Sequence, residues 1–132
     1  MKGDVLLQNI KVNGLPVFAG KKAKETKLMI YEAILTKLGK NVDNVRKRCT
    51  GKPLSITIAF SLHKAAYAKK DLSTLSDNVI KILGEEMSSK KDALKGLGII
   101  TDTILIHRII LEKNLVQKDE KEEFSFSIYE WD

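Results

Sequence analysis

The chain of 132 residues has one cysteine, two histidines and no long apolar run. A single cysteine, Cys49, excludes an internal disulfide and a cysteine-rich zinc site. The histidines, His63 and His107, lack the spacing of a metal-binding motif. No apolar stretch reaches membrane-spanning length, and the N-terminal residues lack the apolar core and cleavage site of a signal peptide. We therefore expect a cytoplasmic protein with no membrane partner.

Acidic residues are scarce in the first half of the chain, where basic residues dominate. Lysine and arginine outnumber aspartate and glutamate by 23 to 17 overall, and residues 20–70 alone hold 13 basic and 3 acidic residues. From residue 118 onward the balance reverses. A local excess of this size predicts a surface that faces a polyanion, most simply nucleic acid. The predicted DNA-binding residues are Lys21, Lys22, Arg46, Lys47, Arg48, Lys69 and Lys70.

Cations also precede the single cysteine, since Arg46, Lys47 and Arg48 come directly before Cys49. Neighbouring positive charge favours a thiolate. No histidine is indicated nearby that could act as a catalytic base. We therefore interpret Cys49 as a residue without a catalytic role.

Hydrophobic patterning predicts a single domain over residues 1–132, of the α/β (α+β) class. We expect a small mixed β-sheet of about four to five strands, packed by two main helices. Residues 41–52 are polar and basic and predict a loop or short helical turn, and residues 63–70 predict a basic loop. The predicted strands are 5–12, 54–60, 99–111 and 123–131, the predicted helices are 24–38 and 72–83, and residues 112–122 form a charged hairpin.

Two of these predicted elements need more detail, because their positions determine how the sheet and the helices are arranged. The isoleucine-rich residues 99–111 are typical of a central strand that is covered on both faces. The helix over 72–83 begins after Asp71, a good N-cap residue, and ends near Gly84 and the polar run 88–91. A short loop or helical turn then leads to Gly96.

The order of features from residue 54 to residue 131 resembles the RusA family of Holliday-junction resolvases. In that family a strand leads through a basic run into an Asp-Leu-Asp-Asn-Leu-x-Lys motif that opens a helix, and an Asp-Asp pair later precedes a strand. The corresponding segments here are Lys69-Lys70, Asp71-Leu72-Ser73-Thr74-Leu75 and Gly98-Ile99-Ile100-Thr101-Asp102-Thr103. The resemblance implies a homodimer that binds branched DNA and cuts it with Mg²⁺.

The resemblance also assigns candidate site residues, in either of two registers. Without gaps, Asp71 and Asp102 match motif carboxylates and are the predicted metal ligands, while Ser73 and Thr103 replace two others. A register one helical turn further on matches Asp77 and Lys81 instead, and Ser73, Asp77 and Lys81 then share one helix face. The predicted catalytic set is Asp71, Asp77, Asp102 and Lys81.

The same acids also fit a structural role. Asp71 is then only an N-cap, Asp77 a solvated helix residue and Asp102 a turn residue before a strand. Two function classes follow from these alternatives. One is a Mg²⁺-dependent, structure-specific endonuclease that acts in DNA recombination and repair. The other is a catalytically inactive RusA-like protein that binds nucleic acid or another protein.

Overall fold

The structure is a computed structural model that describes residues 2–17, 21–84 and 96–131. In these residues a single four-stranded sheet has the order β1-β4-β2-β3. Strand β4 is antiparallel to both of its neighbours, whereas β2 and β3 are parallel, so the sheet is mixed. The strands are β1 (Lys2–Asn13), β2 (Leu54–Leu62), β3 (Ile106–Leu115) and β4 (Glu123–Trp131).

The helices and one face of this sheet enclose the core. Alternate residues of β2, such as Ile56, Ile58 and Phe60, are fully buried, because the strand has helices on one side. On the opposite face Thr57 and Ala59 remain partly exposed. The helices are α1 (Ala23–Leu38), α2 (Val42–Cys49), α3 (Lys64–Lys69) and α4 (Leu72–Leu83). The predicted α+β class is confirmed, and no described helix is long and apolar enough to cross a membrane.

Helix α4 forms where its sequence predicts it. Asp71 caps its first turn, and Leu75, Val79 and Ile82 bury one side of the helix in the core. At its last turn the Leu83 carbonyl accepts hydrogen bonds from the backbone N–H groups that follow Gly98. The predicted loop or turn before Gly96 lies outside the described residues.

The prediction of a central strand at 99–111 is wrong. Ile99 and Ile100 are buried beside the end of α4, and β3 begins only at Ile106. Strand β3 pairs with β2 on one side and forms an edge of the described sheet. None of its residues is buried, although its apolar run is typical of a covered strand. A run of isoleucines reports β-propensity but not the position of a strand in its sheet.

The predicted hairpin at 112–122 is also wrong. Residues 112–115 continue β3, and β2 lies between β3 and β4, so the two strands are not neighbours. The connection crosses the end of β2, where the Val116 N–H donates to the Leu62 carbonyl at 2.9 Å. Residues 41–52 contain helix α2, and the predicted basic loop at 63–70 is mostly helix α3.

The chain direction divides the molecule into two ends. Strand β2 rises from Leu54 at the lower end to Leu62 at the upper end, and β1 and β3 run the same way. Helix α4 descends, since it follows the top of β2 and ends beside residues 99–100. The upper end therefore holds α3 and the starts of α1 and α4. The lower end holds α2, the end of α4 and residues 96–105.

Candidate functional site

Asp71 lies at the upper end and is bonded to its own helix. Its Oδ1 accepts hydrogen bonds from the backbone N–H groups of Ser73, at 2.9 Å, and Thr74, at 3.3 Å, and its Oδ2 accepts one from Thr74 Oγ1 at 3.1 Å. The bond from the Thr74 N–H is the largest cause that lowers the pKa of Asp71, followed by the Thr74 hydroxyl and the Ser73 N–H. The carboxylate is therefore ionised at neutral pH, and both of its oxygens serve the helix cap.

Asp102 lies at the lower end and has a similar local role. It precedes a short 3₁₀ helix, Thr103–Leu105, and its Oδ1 accepts a hydrogen bond from the Ile104 N–H at 3.0 Å. It is exposed and follows Ile100, whose N–H bonds to the Leu83 carbonyl at the end of α4. Both predicted metal ligands are thus caps of helical segments.

The full length of α4 separates these two carboxylates. Twelve helical residues extend about 18 Å, and Asp71 precedes the first turn while Asp102 lies past the last. Mg²⁺ requires its oxygen ligands at about 2.1 Å, so the two side chains do not meet at one ion within a chain. Among residues 2–17, 21–84 and 96–131, no group of three histidine, cysteine or acidic side chains is placed to hold a metal. Within these ranges, the predicted ligands Asp71 and Asp102 do not fit a shared Mg²⁺ site.

Asp77 and Lys81 belong to the exposed side of α4. Ser73, Asp77 and Lys81 are all exposed, in agreement with their spacing of four along the helix. Asp77 lies six residues beyond Asp71, about 9 Å along the axis. The shifted register therefore places one carboxylate and one ammonium group on this face, without a second acid from the predicted set.

The upper end collects four of the predicted DNA-binding cations. Lys69 and Lys70 line a cavity of about 300 Å³ together with Asp71. Asn78 forms another part of its wall, and its amide Nδ2 donates to the Pro16 carbonyl at 2.7 Å, which ties α4 to the segment after β1. Lys21 and Lys22, both exposed, precede α1 at this same end.

The lower end holds the other three cations, and two of them have structural partners. Arg46 donates from Nε to the Leu97 carbonyl at 2.7 Å and from a terminal nitrogen to Asp43 at 3.0 Å. Arg48 donates to the Val5 carbonyl at 2.9 Å. Lys47 is exposed. The seven predicted cations therefore do not form one surface.

Two further side chains extend the basic surface of the upper end. Lys64 opens α3, and Lys113, in β3, donates from Nζ to the Tyr67 carbonyl at 2.8 Å while lying 5.4 Å from the Tyr67 ring centroid. Lys113 is not among the predicted cations, because it lies outside the basic stretch of residues 20–70 from which those cations come. The parallel pairing of β3 with β2, which brings Lys113 to the upper end, leaves no local signal in the sequence.

The two histidines and the cysteine lie in environments that fit a structural role. His63 lies with Nε2 at 2.6 Å from the Glu120 carbonyl, and its backbone N–H donates to Glu122. His107 contacts Trp131 edge to face. Burial raises the pKa of Cys49 to about 11, and the nearby Arg48 offsets this only in part. Burial thus outweighs the effect of the neighbouring cations on the Cys49 thiol.

Comparisons of the chain with protein-family models, curated proteins and solved structures find no match. The RusA resemblance therefore rests on the quoted residues alone.

Proposed function

We propose that this protein binds nucleic acid through its upper end, and that Asp71 and Asp102 of its RusA-like motif act as structural caps, one at each end of α4. This is the second of the two function classes that the sequence leaves open. The observation that carries the proposal is a group of exposed lysines at one end of the domain. The group consists of Lys21, Lys22, Lys64, Lys69 and Lys70.

These lysines are available to a polyanion. Within residues 2–17, 21–84 and 96–131, none of their ammonium groups forms an ion pair, since the pairs found there involve Arg46, Lys52 and His63. An ammonium group that forms no ion pair in the protein is able to neutralise a phosphate of the nucleic acid. The cations condensed on that phosphate are then released, which favours binding at low salt.

Helix α3 adds an aromatic side chain to this charge. Tyr67 is 40% exposed and lies three residues after Lys64, so the two side chains occupy neighbouring positions on the helix. An exposed aromatic ring beside cations offers a stacking surface for an unpaired base. Branched DNA, with bases near the branch point that are readily unstacked, is therefore the class of ligand to test first.

Asp71 determines where a phosphate would lie. Its carboxylate already occupies the first-turn amides of α4, so these amides do not offer an anion site. A phosphate would instead contact the ammonium groups of Lys69 and Lys70 on the cavity wall. The lysines supply the attraction, and Asp71 fixes the helix that follows them.

Mg²⁺-dependent cleavage would require carboxylates that converge on one ion. Since Asp71 and Asp102 lie at opposite ends of α4, we derive no catalytic step through a metal. Replacing Ser73 and Thr103 by aspartate would not assemble the family's four acids either, because these two positions also lie at opposite ends. We expect no restored cleavage from that double variant.

Fluorescence anisotropy with a labelled four-way junction, a linear duplex and a single strand tests the proposal across a salt series. We expect affinity to fall steeply with salt and to favour the junction. Lys69→Ala/Lys70→Ala should flatten the slope of log K against log salt by about 1 to 2. The matched control, Lys40→Ala/Lys47→Ala, removes the same charge from exposed positions at the lower end and should leave the slope unchanged.

The same junction, incubated with Mg²⁺, tests the endonuclease directly. We expect it to remain intact. Cleavage by the natural chain that Asp71→Asn abolishes and Asp77→Asn spares would overturn our proposal and establish catalysis in the ungapped register. Cleavage that Asp77→Asn abolishes and Asp71→Asn spares, and that Lys81→Ala also reduces, would establish the shifted register.

A further inference from the structure

The backbone groups on the outer edge of β3 face no other described strand. Among the described residues, β3 has a neighbouring strand only on its β2 side. Large apolar side chains are exposed along and before it, with Ile109 at 42% and Ile110 at 38% of full exposure and Ile104 at 76%. A long, exposed apolar edge strand is a template for pairing with another strand.

The backbone groups that point outward follow from the pairing with β2. The Val116 N–H donates to the Leu62 carbonyl, and successive residues of a strand alternate in direction. Even-numbered residues of the regular part of β3 therefore bond to β2. The N–H and C=O groups of Ile109 and Leu111 point away from the sheet, where no described strand receives them.

The sequence of this edge is complementary to itself. Arg108 and Glu112 lie two residues before and two residues after Ile110, and all three side chains share the face that carries Thr57, away from the helices. In an antiparallel pair of β3 strands centred on Ile110, Arg108 of each copy lies opposite Glu112 of the other. Opposite charges at facing positions stabilise such a pair.

We propose that a second copy of this chain occupies the edge, with two β3 strands pairing antiparallel about a twofold axis at Ile110. Ile109 and Leu111 then exchange about four backbone hydrogen bonds across the axis. Arg108 and Glu112 form two symmetry-related ion pairs. The result is a continuous eight-stranded sheet. The interface is isologous and closed, so it ends at a dimer.

Charge selects this register over its neighbours. Centring the pair on Arg108 or Glu112 brings like charges face to face, and centring it on Ile109 or Leu111 leaves each charge opposite an uncharged residue. Only the register centred on Ile110 places Arg108 and Glu112 each opposite a residue of the opposite charge. In the single chain Arg108 is exposed, and Glu112 contacts the Asn114 amide on its own strand at 3.1 Å.

Light scattering coupled to gel filtration tests the oligomeric state. At 100 µM we expect about twice 14.8 kDa. Ile110→Lys, which places two ammonium groups face to face at the axis, should give the monomer mass. A natural chain that is monomeric at this concentration overturns the proposal, as does an Ile110→Lys variant that stays dimeric.

A charge swap distinguishes this register from other dimers. Arg108→Glu alone should raise the dimer Kd about tenfold, because it turns two attractive pairs into two repulsive ones. The double variant Arg108→Glu/Glu112→Arg should recover the natural Kd within about threefold. Failure of the swap to recover the affinity contradicts the register.

A cross-link provides a test that does not depend on affinity. Facing residues of a non-hydrogen-bonded antiparallel pair have Cα atoms about 4.5 Å apart, within reach of a disulfide. Ile110→Cys should therefore give a covalent dimer under mild oxidation. Met29→Cys, at an exposed position on α1, is the matched control and should stay monomeric on a non-reducing gel. The native Cys49 is buried and should not interfere. Equal cross-linking of both variants contradicts the proposal.

Discussion

The two ends of α4 have similar caps, but their cations have different roles. Each end has an aspartate that caps a helical segment, Asp71 above and Asp102 below. Each also has cations from the basic half of the chain. At the lower end Arg46 and Arg48 donate to backbone carbonyls and hold segments together. At the upper end the lysines are exposed and form no ion pairs among the described residues.

This difference shows that basic composition alone does not locate a binding surface. A guanidinium has several donors in a fixed plane and suits bonds to carbonyl groups that fold the chain, whereas an exposed ammonium group keeps its charge available to a ligand. We therefore expect substitutions at the lower end to change stability, and substitutions of the upper-end lysines to change binding.

The largest expected effect is at Gly96, in the lower end. A Cβ at this position would clash with the Gly84 carbonyl oxygen and lie 2.8 Å from the Gly84 carbonyl carbon and 3.0 Å from the Lys81 oxygen, all of them backbone atoms. Gly96→Ala should therefore lower the free energy of unfolding by about 3 kcal/mol. Urea denaturation measures this loss.

Its control is Gly14→Ala, at the upper end. Gly14 has φ of +96°, and an added Cβ would meet no described atom within 4 Å, so only backbone strain opposes the change. We expect a cost of about 1 kcal/mol. Equal losses at the two glycines would mean that the close packing around Gly96 does not support the lower end.

A smaller effect is expected at Arg46. Arg46→Ala removes the hydrogen bond to the Leu97 carbonyl and the contact with Asp43, and should cost about 1 to 2 kcal/mol. Lys47→Ala, the adjacent exposed residue, should change stability by less than about 0.5 kcal/mol. Thermal denaturation of the two variants compares them directly. A destabilised Lys47→Ala beside an unchanged Arg46→Ala would contradict the structural role of Arg46.

The smallest effect on stability is expected at Asp71, and it should depend on pH. Because its pKa is lower in the folded chain than the ordinary value of 3.8, the ionised group stabilises the fold above that value, and the contribution is lost as pH falls through the lower, folded pKa. Asp71→Ala should therefore lower Tm at pH 7 and have less effect at pH 2. Asp77→Ala, on the exposed side of the same helix, is the control and should change Tm little at either pH. A Tm difference for Asp71→Ala that grows on acidification would contradict the capping role.

Local signals in the sequence are sufficient to predict several elements. The predicted strand at 123–131 coincides with β4, since strict alternation of Phe124, Phe126 and Ile128 with polar residues marks a half-buried strand. The helix over 72–83 follows for a similar reason, from an N-cap and an apolar stripe. These signals act over a few residues and do not depend on the rest of the fold.

Relations across the fold could not be predicted in the same way. The order of Asp71 and Asp102 along the chain matches the RusA-like motif. Only the downward course of α4 shows that the two residues lie at opposite ends of this helix. Likewise, the isoleucines of β3 predict a strand, but its position at an edge follows from its pairing, which among the described strands is with β2 alone. Both misassignments concern tertiary position, which residue type and period do not encode.

An NMR titration of the labelled protein with a short oligonucleotide at low salt tests most directly whether nucleic acid binds at the upper end. We expect amide shifts to concentrate in α3, around Lys64, Tyr67 and Lys69, and at the start of α4, while the amides of α2 stay unchanged. Shifts confined to α2 and the surroundings of Asp102 would contradict this expectation, because they would place the nucleic acid at the lower end.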